Sequence, residues 1–368
     1  MYEIAGAPSG LLIDGKNPSH RRTSLDPLLE VGHIRCIRKL DVHLSTLDDD
    51  LRDSGRNNKN ALDGVEFITS PLPALESFSF YADQYYAIKI YPKLPKDLFS
   101  WESLPPTKVR HLALHGCFRG PTQSIRNLAS FELSGLYYAA YRMELDQKTF
   151  LPFISASPSL ASLSLAHCTF PDREELSGVT PVKLPELKTL RLMGTSGLSR
   201  FLNLVDVPAF RTLSSLRVLV QEPSHTGFSD GYFMVRAESD DGFQLSYDTR
   251  DQCKAASRWL GLTHHADPVL AFVRVEGRDL GSGQGVVKGI SLLQLLVNAE
   301  VLEFGASFIS TMYCNFWKKH GFWEDLEKVG PQLTTVRLEV AGVVDQKIAK
   351  SVENLVKARF RRGMPLTK

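Results

Sequence analysis

The sequence is poor in the features that usually announce a compartment or a chemistry. Its five cysteines, Cys36, Cys117, Cys168, Cys253 and Cys314, are odd in number and stand 51 or more residues apart, with no Cys-x-x-Cys pair. That spacing excludes a dense disulfide framework or a zinc ribbon and leaves the cysteines as small apolar residues of a reduced compartment. No basic segment followed by an apolar stretch opens the sequence, so a secretory leader is not expected. No Asn-x-Ser/Thr acceptor survives once Asn17, before Pro18, is set aside. The longest run without Asp, Glu, Lys or Arg, residues 149–171, holds three prolines and five serines, which excludes it as a membrane span. Excess charge is missing too: 43 Lys and Arg against 41 Asp and Glu leave a formal +2. That balance argues against nucleic acid and anionic membranes as partners. A cytoplasmic or nuclear protein is the expectation.

What the sequence does contain is a repeat. Leu160, Leu163, Leu165, Cys168 and Phe170 fit L-x-x-L-x-L-x-x-C-x-Φ, where Φ is apolar, at every position. Val109, Leu112, Leu114, Cys117 and Phe118 fit it with the last apolar residue one place early. Shorter copies are Leu128/Phe131/Leu133, Leu187/Leu190/Leu192, Leu213/Leu216/Val218 and Leu333/Val336/Leu338. Looser ones are Ile37/Leu40/Val42, Leu75/Phe78/Phe80 and Ala299/Leu302/Phe304. Their central residues follow one another at intervals of 19 to 38, except for one of 86 between Leu216 and Leu302. An insertion must fill that gap, and the alternating stretch from Phe272 to Val275 is a register partner near its end.

In x-L-x-L-x the two leucines share one strand face and the x positions share the other. Short helices are expected over 150–154, 198–204 and 290–296, from apolar residues at i, i+3 and i+4. One repeat buries about five large side chains at ~1.5–3 kcal/mol each. Ordering its ~27 residues costs roughly 40 kcal/mol, so no repeat folds alone. The expected fold is therefore an α/β leucine-rich-repeat solenoid, a ribonuclease-inhibitor-like horseshoe with a parallel concave sheet. It would span residues 28–368 as one domain after a poorly ordered segment, 1–27. Residues of about 222–268 break the pattern. The β-rich stretches 232–237 and 243–247 flank Asp241 and Gly242, which reads as a hairpin. With a helix over 252–260, it is expected to project from the solenoid edge.

Four local matches carry a family resemblance. The stretch from His33 to Leu40 is similar to a helix-strand entry. Leu94, Pro95, Leu98 and Phe99, followed by Val109 to Cys117, resemble an LPxxLF…LRxLxLxxC unit. Leu160 to Cys168 is the plain repeat, and Leu355 to Leu366 looks like a last helix and exit. Together they resemble the leucine-rich-repeat region of fungal, basidiomycete-type F-box proteins over residues 28–368. The resemblance implies recognition of a protein substrate for a cullin-type ubiquitin ligase. Residues 1–30 carry no match to the F-box, which opens LP-x-E/D-L/I, so a Skp-type adaptor is implied only if an F-box lies upstream. Otherwise the chain is a stand-alone repeat scaffold.

Several motifs suggest chemistry and are better read as loops. Gly227, Ser229 and Gly231 match the G-x-S-x-G elbow of serine hydrolases, but the elbow needs an apolar strand before it and a helix after it. Here Glu222, Pro223, Ser224 and His225 precede it and a strand-like stretch follows. Gly281, Gly283 and Gly285 lack the Gly-Lys-Ser/Thr ending of a phosphate loop. His264, His265 and Asp267 offer three donors that do not converge. His111 and His115 share a strand face ~13 Å apart, too far for one metal. The basic clusters 20–22 and 359–362 read as solvated ends. Phe316, Trp317, Phe322 and Trp323 read as packing of the last repeats. No catalytic residue, metal or cofactor is expected.

The remaining candidate is a surface built from outward strand positions. It comprises Lys39, Asp41 and His43; Ser77, Ser79 and Tyr81; His111 and His115; and Ser130, Glu132 and Ser134. Ser162 and Ser164; Thr189, Arg191 and Met193; and Thr335, Arg337 and Glu339 continue it. Its mixed charge and small central residues suit a protein or peptide partner. Non-enzymatic protein recognition is the function these readings favour.

Overall fold

Apolar residues at every second position make short strands, and one more apolar residue three places before each strand's central residue marks where the chain enters the sheet. The computed structural model describes residues 11–14, 37–44, 74–82, 108–116, 125–135, 143–171, 181–193, 195, 197–208, 215–221, 234–239, 244–248, 270–278, 299–306, 333–339 and 346–366. The chain divides into two compact units, Met1–Glu186 and Leu187–Lys368, a boundary inside the stretch expected to be one solenoid. Among the described residues three helices accompany the strands, giving an α/β architecture dominated by parallel pairing and compatible with a solenoid. No helix among them is long and apolar enough to cross a membrane.

The first unit contains β1 (Leu11–Asp14), β2 (Lys39–Leu44), β3 (Ser77–Ala82), β4 (His111–His115), β5 (Ser130–Ser134), β6 (Met143–Glu144), α1 (Gln147–Ser155), β7 (Ser162–Ala166), β8 (Cys168–Thr169) and β9 (Val182–Lys183). The strands β1-β2-β3-β4-β5-β7 lie side by side in chain order, each parallel to the next. Leu40, Phe78, Leu112, Phe131 and Leu163, the central residues of the sequence repeat, are successive Cα partners. All five are buried, as are Leu75, Val109, Leu128 and Leu160 three places earlier. Leu11 is the partner of Leu40, so residues 11–14 form a strand within the segment expected to be poorly ordered. A neighbouring strand with free backbone donors and acceptors supplies the pairing that this short stretch cannot generate alone.

The entry to each strand repeats the same hydrogen bonds. The Glu76 and Ser77 amides donate to Arg38 O, those of Arg110 and His111 to Glu76 O, those of Ala129 and Ser130 to Arg110 O, and those of Ala161 and Ser162 to Ala129 O. Each donor pair is translated by one repeat from the last. The exit is also shared: Gly116 (φ 74°) and His167 (φ 53°) turn the chain through the left-handed region at equivalent positions. Cys168 follows, buried, its thiol donating to Ala166 O at 3.3 Å. Behind the sheet, α1 supplies Phe150 and Phe153, which meet Phe131 at centroid separations of 6.3 and 5.0 Å. Asp146 caps α1 by accepting from the Lys148 amide at 3.0 Å. Buried Ser157 ties this repeat to the one before, accepting from Leu128 N at 3.0 Å and donating to Ile125 O at 3.4 Å.

The second unit contains β10 (Thr189–Met193), α2 (Leu198–Asn203), β11 (Val205–Asp206), β12 (Ser215–Gln221), β13 (Met234–Glu238), β14 (Gln244–Asp248), β15 (Leu270–Arg278), β16 (Ala299–Phe304), β17 (Thr335–Leu338) and α3 (Gln346–Arg361). Its order is β10-β14-β13-β12-β15-β16-β17. Leu216, Val273, Leu302 and Val336 are successive partners, so β15 does fill the long interval. The hairpin of β13 and β14 is present, with Glu238 opposite Gln244. It does not project from an edge. β14 pairs parallel to β10 and β13 antiparallel to β12, so the hairpin is a pair of central strands. Two alternating strands satisfy both neighbours' backbone groups, whereas a projecting hairpin would leave two ladder edges open. The expected helices over 252–260 and 290–296 lie outside the described residues.

The helix α3 reverses one sequence expectation. Arg359, assigned to a solvated basic cluster, has no exposed surface and donates from Nη2 to Leu333 O at 3.0 Å. Its neighbour Phe360 is 71% exposed. Arg359 lies one turn beyond the buried Leu355 and shares its face, so helical phase places it inside. Burial lowers its pKa from the ordinary value. Gly363 (φ 72°) ends the helix: its amide donates to Phe360 O and that of Met364 to Arg359 O, a Schellman termination.

Candidate functional site

The parallel register converts the outward positions into rows. Lys39, Ser77, His111, Ser130 and Ser162 are successive Cα partners across β2, β3, β4, β5 and β7. Two residues further along, Asp41, Ser79, Ala113, Glu132 and Ser164 form a second row, and His43, Tyr81, His115, Ser134 and Ala166 a third. Of His43 only the backbone, opposite Tyr81, is described. His43 apart, the candidates that the sequence assigned to these strands share one face of the first unit, out of phase with the buried leucines and phenylalanines.

Three side chains form the most structured part of this face. The Tyr81 ring, 43% exposed, stands 5.9 Å from the His115 ring at an interplanar angle of 46°. His115 Nε2 lies 3.9 Å from Glu132 Oε1. Beside them, Lys39 Nζ meets Asp41 Oδ2 at 2.9 Å. Ser79, Ala113 and Ser134 stand in the same rows. Ser164, expected at the surface, is only 8% exposed. Its short side chain sits beside the larger Glu132, its register partner.

In the second unit Thr189 and Arg191 pair with Gln244 and Ser246, because the hairpin strand rather than β12 adjoins β10. Arg337 Nη1 lies 3.7 Å from Glu303 Oε2, its partner on β16. Met193 is half-buried and Glu339 exposed. Thr335, expected outward, is buried at 9% beside the larger Val301. Gln244 and Glu303 are outward positions that were not among the sequence candidates. The alternation around Leu245 was visible, but it belonged to a hairpin expected to project.

Ser229, the glycines 281–285, the donors 264–267 and the aromatics 316–323 lie outside the described residues. His111 and His115 occupy the two ends of one strand face. Among the described residues no group of three or more His, Cys, Asp or Glu side chains is placed to hold a metal ion. Cys168 is buried, and burial pushes its thiol pKa up to about 12, the reverse of an activated nucleophile.

No family model, curated protein or solved structure matches this chain.

Proposed function

We propose that the chain is a leucine-rich-repeat solenoid that recognises a protein or peptide through the outward face of its parallel strands, without catalysis. The observation that carries this reading is the registered face of β2 to β7, where polar, small and aromatic side chains repeat strand by strand over a continuous apolar core. A face of this kind, with paired charges and an exposed aromatic, suits protein recognition better than a phosphate backbone. The F-box resemblance extends the reading to substrate recognition for a cullin-type ubiquitin ligase. That extension requires an F-box upstream of residue 1, so it is tested by co-elution of the longest protein the gene encodes with a Skp-type adaptor on a sizing column. A stable complex supports it, and separate peaks favour a stand-alone scaffold. Recognition itself is tested with a benzophenone crosslinker at Ser130, on the face, or at Glu353, on α3. Specific protein adducts at Ser130 alone support the reading, and equal labelling from both sites contradicts it.

A further inference from the structure

The outward face of the first unit has an uneven charge balance. Lys39 is joined to Asp41, and among the described outward residues of β3, β4 and β5 the carboxylate is that of Glu132. The partner of Glu132, His115, offsets it only when protonated. Tyr81, an exposed aromatic of this face, has its ring 5.9 Å from the same imidazole at an oblique angle. Ala113, opposite Glu132 in register, is the smaller of the two outward side chains that β4 places beside His115's neighbours Tyr81 and Glu132. An aromatic ring and a carboxylate on the strands either side of β4, each against the same imidazole, are the two kinds of group that hold a cation, one through its face and the other by a charge-assisted hydrogen bond.

We propose that β3, β4 and β5 bind an extended peptide segment bearing a lysine or arginine, whose cation sits over Ala113 between the Tyr81 ring and the Glu132 carboxylate. This rests on the recognition reading above and names the chemistry of the partner. The strands are ~4.8 Å apart, so a peptide running across β3 to β5 needs only three or four extended residues, at ~3.3 Å each, to span the site. An acidic or phosphorylated segment would meet the Glu132 carboxylate, while Lys39 is already engaged by Asp41.

The test uses the full chain to select from a random-peptide phage library, followed by fluorescence anisotropy on the labelled synthetic winner. The winners should be enriched in Lys or Arg. Glu132→Gln and Tyr81→Ala should each weaken binding about ten-fold. Tyr81→Phe, which keeps the ring, and Glu353→Gln, remote on α3, should bind like the wild type. Winners without Lys or Arg, or winners indifferent to Glu132→Gln, would overturn this inference and leave the recognition reading standing. A library that yields no binder would overturn both.

Discussion

The buried guanidinium of Arg359 donates to the main-chain oxygen of Leu333 across 3.0 Å, joining α3 to the chain two residues before β17. A charged group held without exposed surface is tolerable only while such bonds persist. Arg359→Ala removes the donor and leaves a void. It should destabilise the chain by about 3 kcal/mol, from the combined loss of packing and of a buried hydrogen bond. Phe360→Ser, next to it but exposed, should change stability by less than about 0.5 kcal/mol. Urea unfolding of the two variants checks the inversion, because a solvated basic end would give the opposite ranking.

Two glycines should fail as alanines for different reasons. A Cβ on Gly135 would press on the carbonyl oxygen of His167 and come within 3.0 Å of the Met143 amide, both backbone groups that cannot swing aside. Gly135→Ala should therefore cost about 1–3 kcal/mol or more. Gly363 has nothing near its missing Cβ, but its φ is 72°. Gly363→Ala should cost only about 1 kcal/mol, from the left-handed backbone alone. Paired thermal melts separate the two cases.

The thiol of Cys168 has a distinct pH signature. Burial raises its pKa from the ordinary 9.0 to about 12, so the folded state holds its proton more tightly than the unfolded state. The contribution is fully present below about pH 9 and is lost as the pH rises towards 12. Cys168→Ser, which has no titration in that window, should be less stable than the wild type at pH 8. The difference should close at higher pH. Stability curves of both proteins between pH 8 and 11 read this directly. A gap independent of pH would contradict it.

How much of this was legible in the sequence depended on the kind of information each feature needed. The alternation around Leu40, Phe78, Leu112, Phe131 and Leu163 fixes both phase and register, because a parallel ladder keeps equivalent residues opposite one another. The polar rows on the other face follow automatically. The place of the β13–β14 hairpin did not follow. Spacing along the chain says that Leu216 comes 26 residues after Leu190, and does not say that Leu245 will sit beside Leu190 instead. Arg359 was hidden by composition, since a basic run reads as solvated. Its separation of four from Leu355 was the signal that could have revealed it. The closeness of Tyr81, His115 and Glu132 required three strands from distant stretches to pair, which only the fold supplies.

The most direct test of a recognition face is to fill it. Ala113→Arg places a guanidinium from β4 beside Glu132, occupying the position proposed for the partner's cation while leaving the core untouched. Binding of the selected peptide should be measured by anisotropy for this variant and the wild type, alongside their melting temperatures. Ala113→Arg should abolish binding with the melting temperature unchanged. Wild-type affinity in a folded Ala113→Arg protein would contradict it.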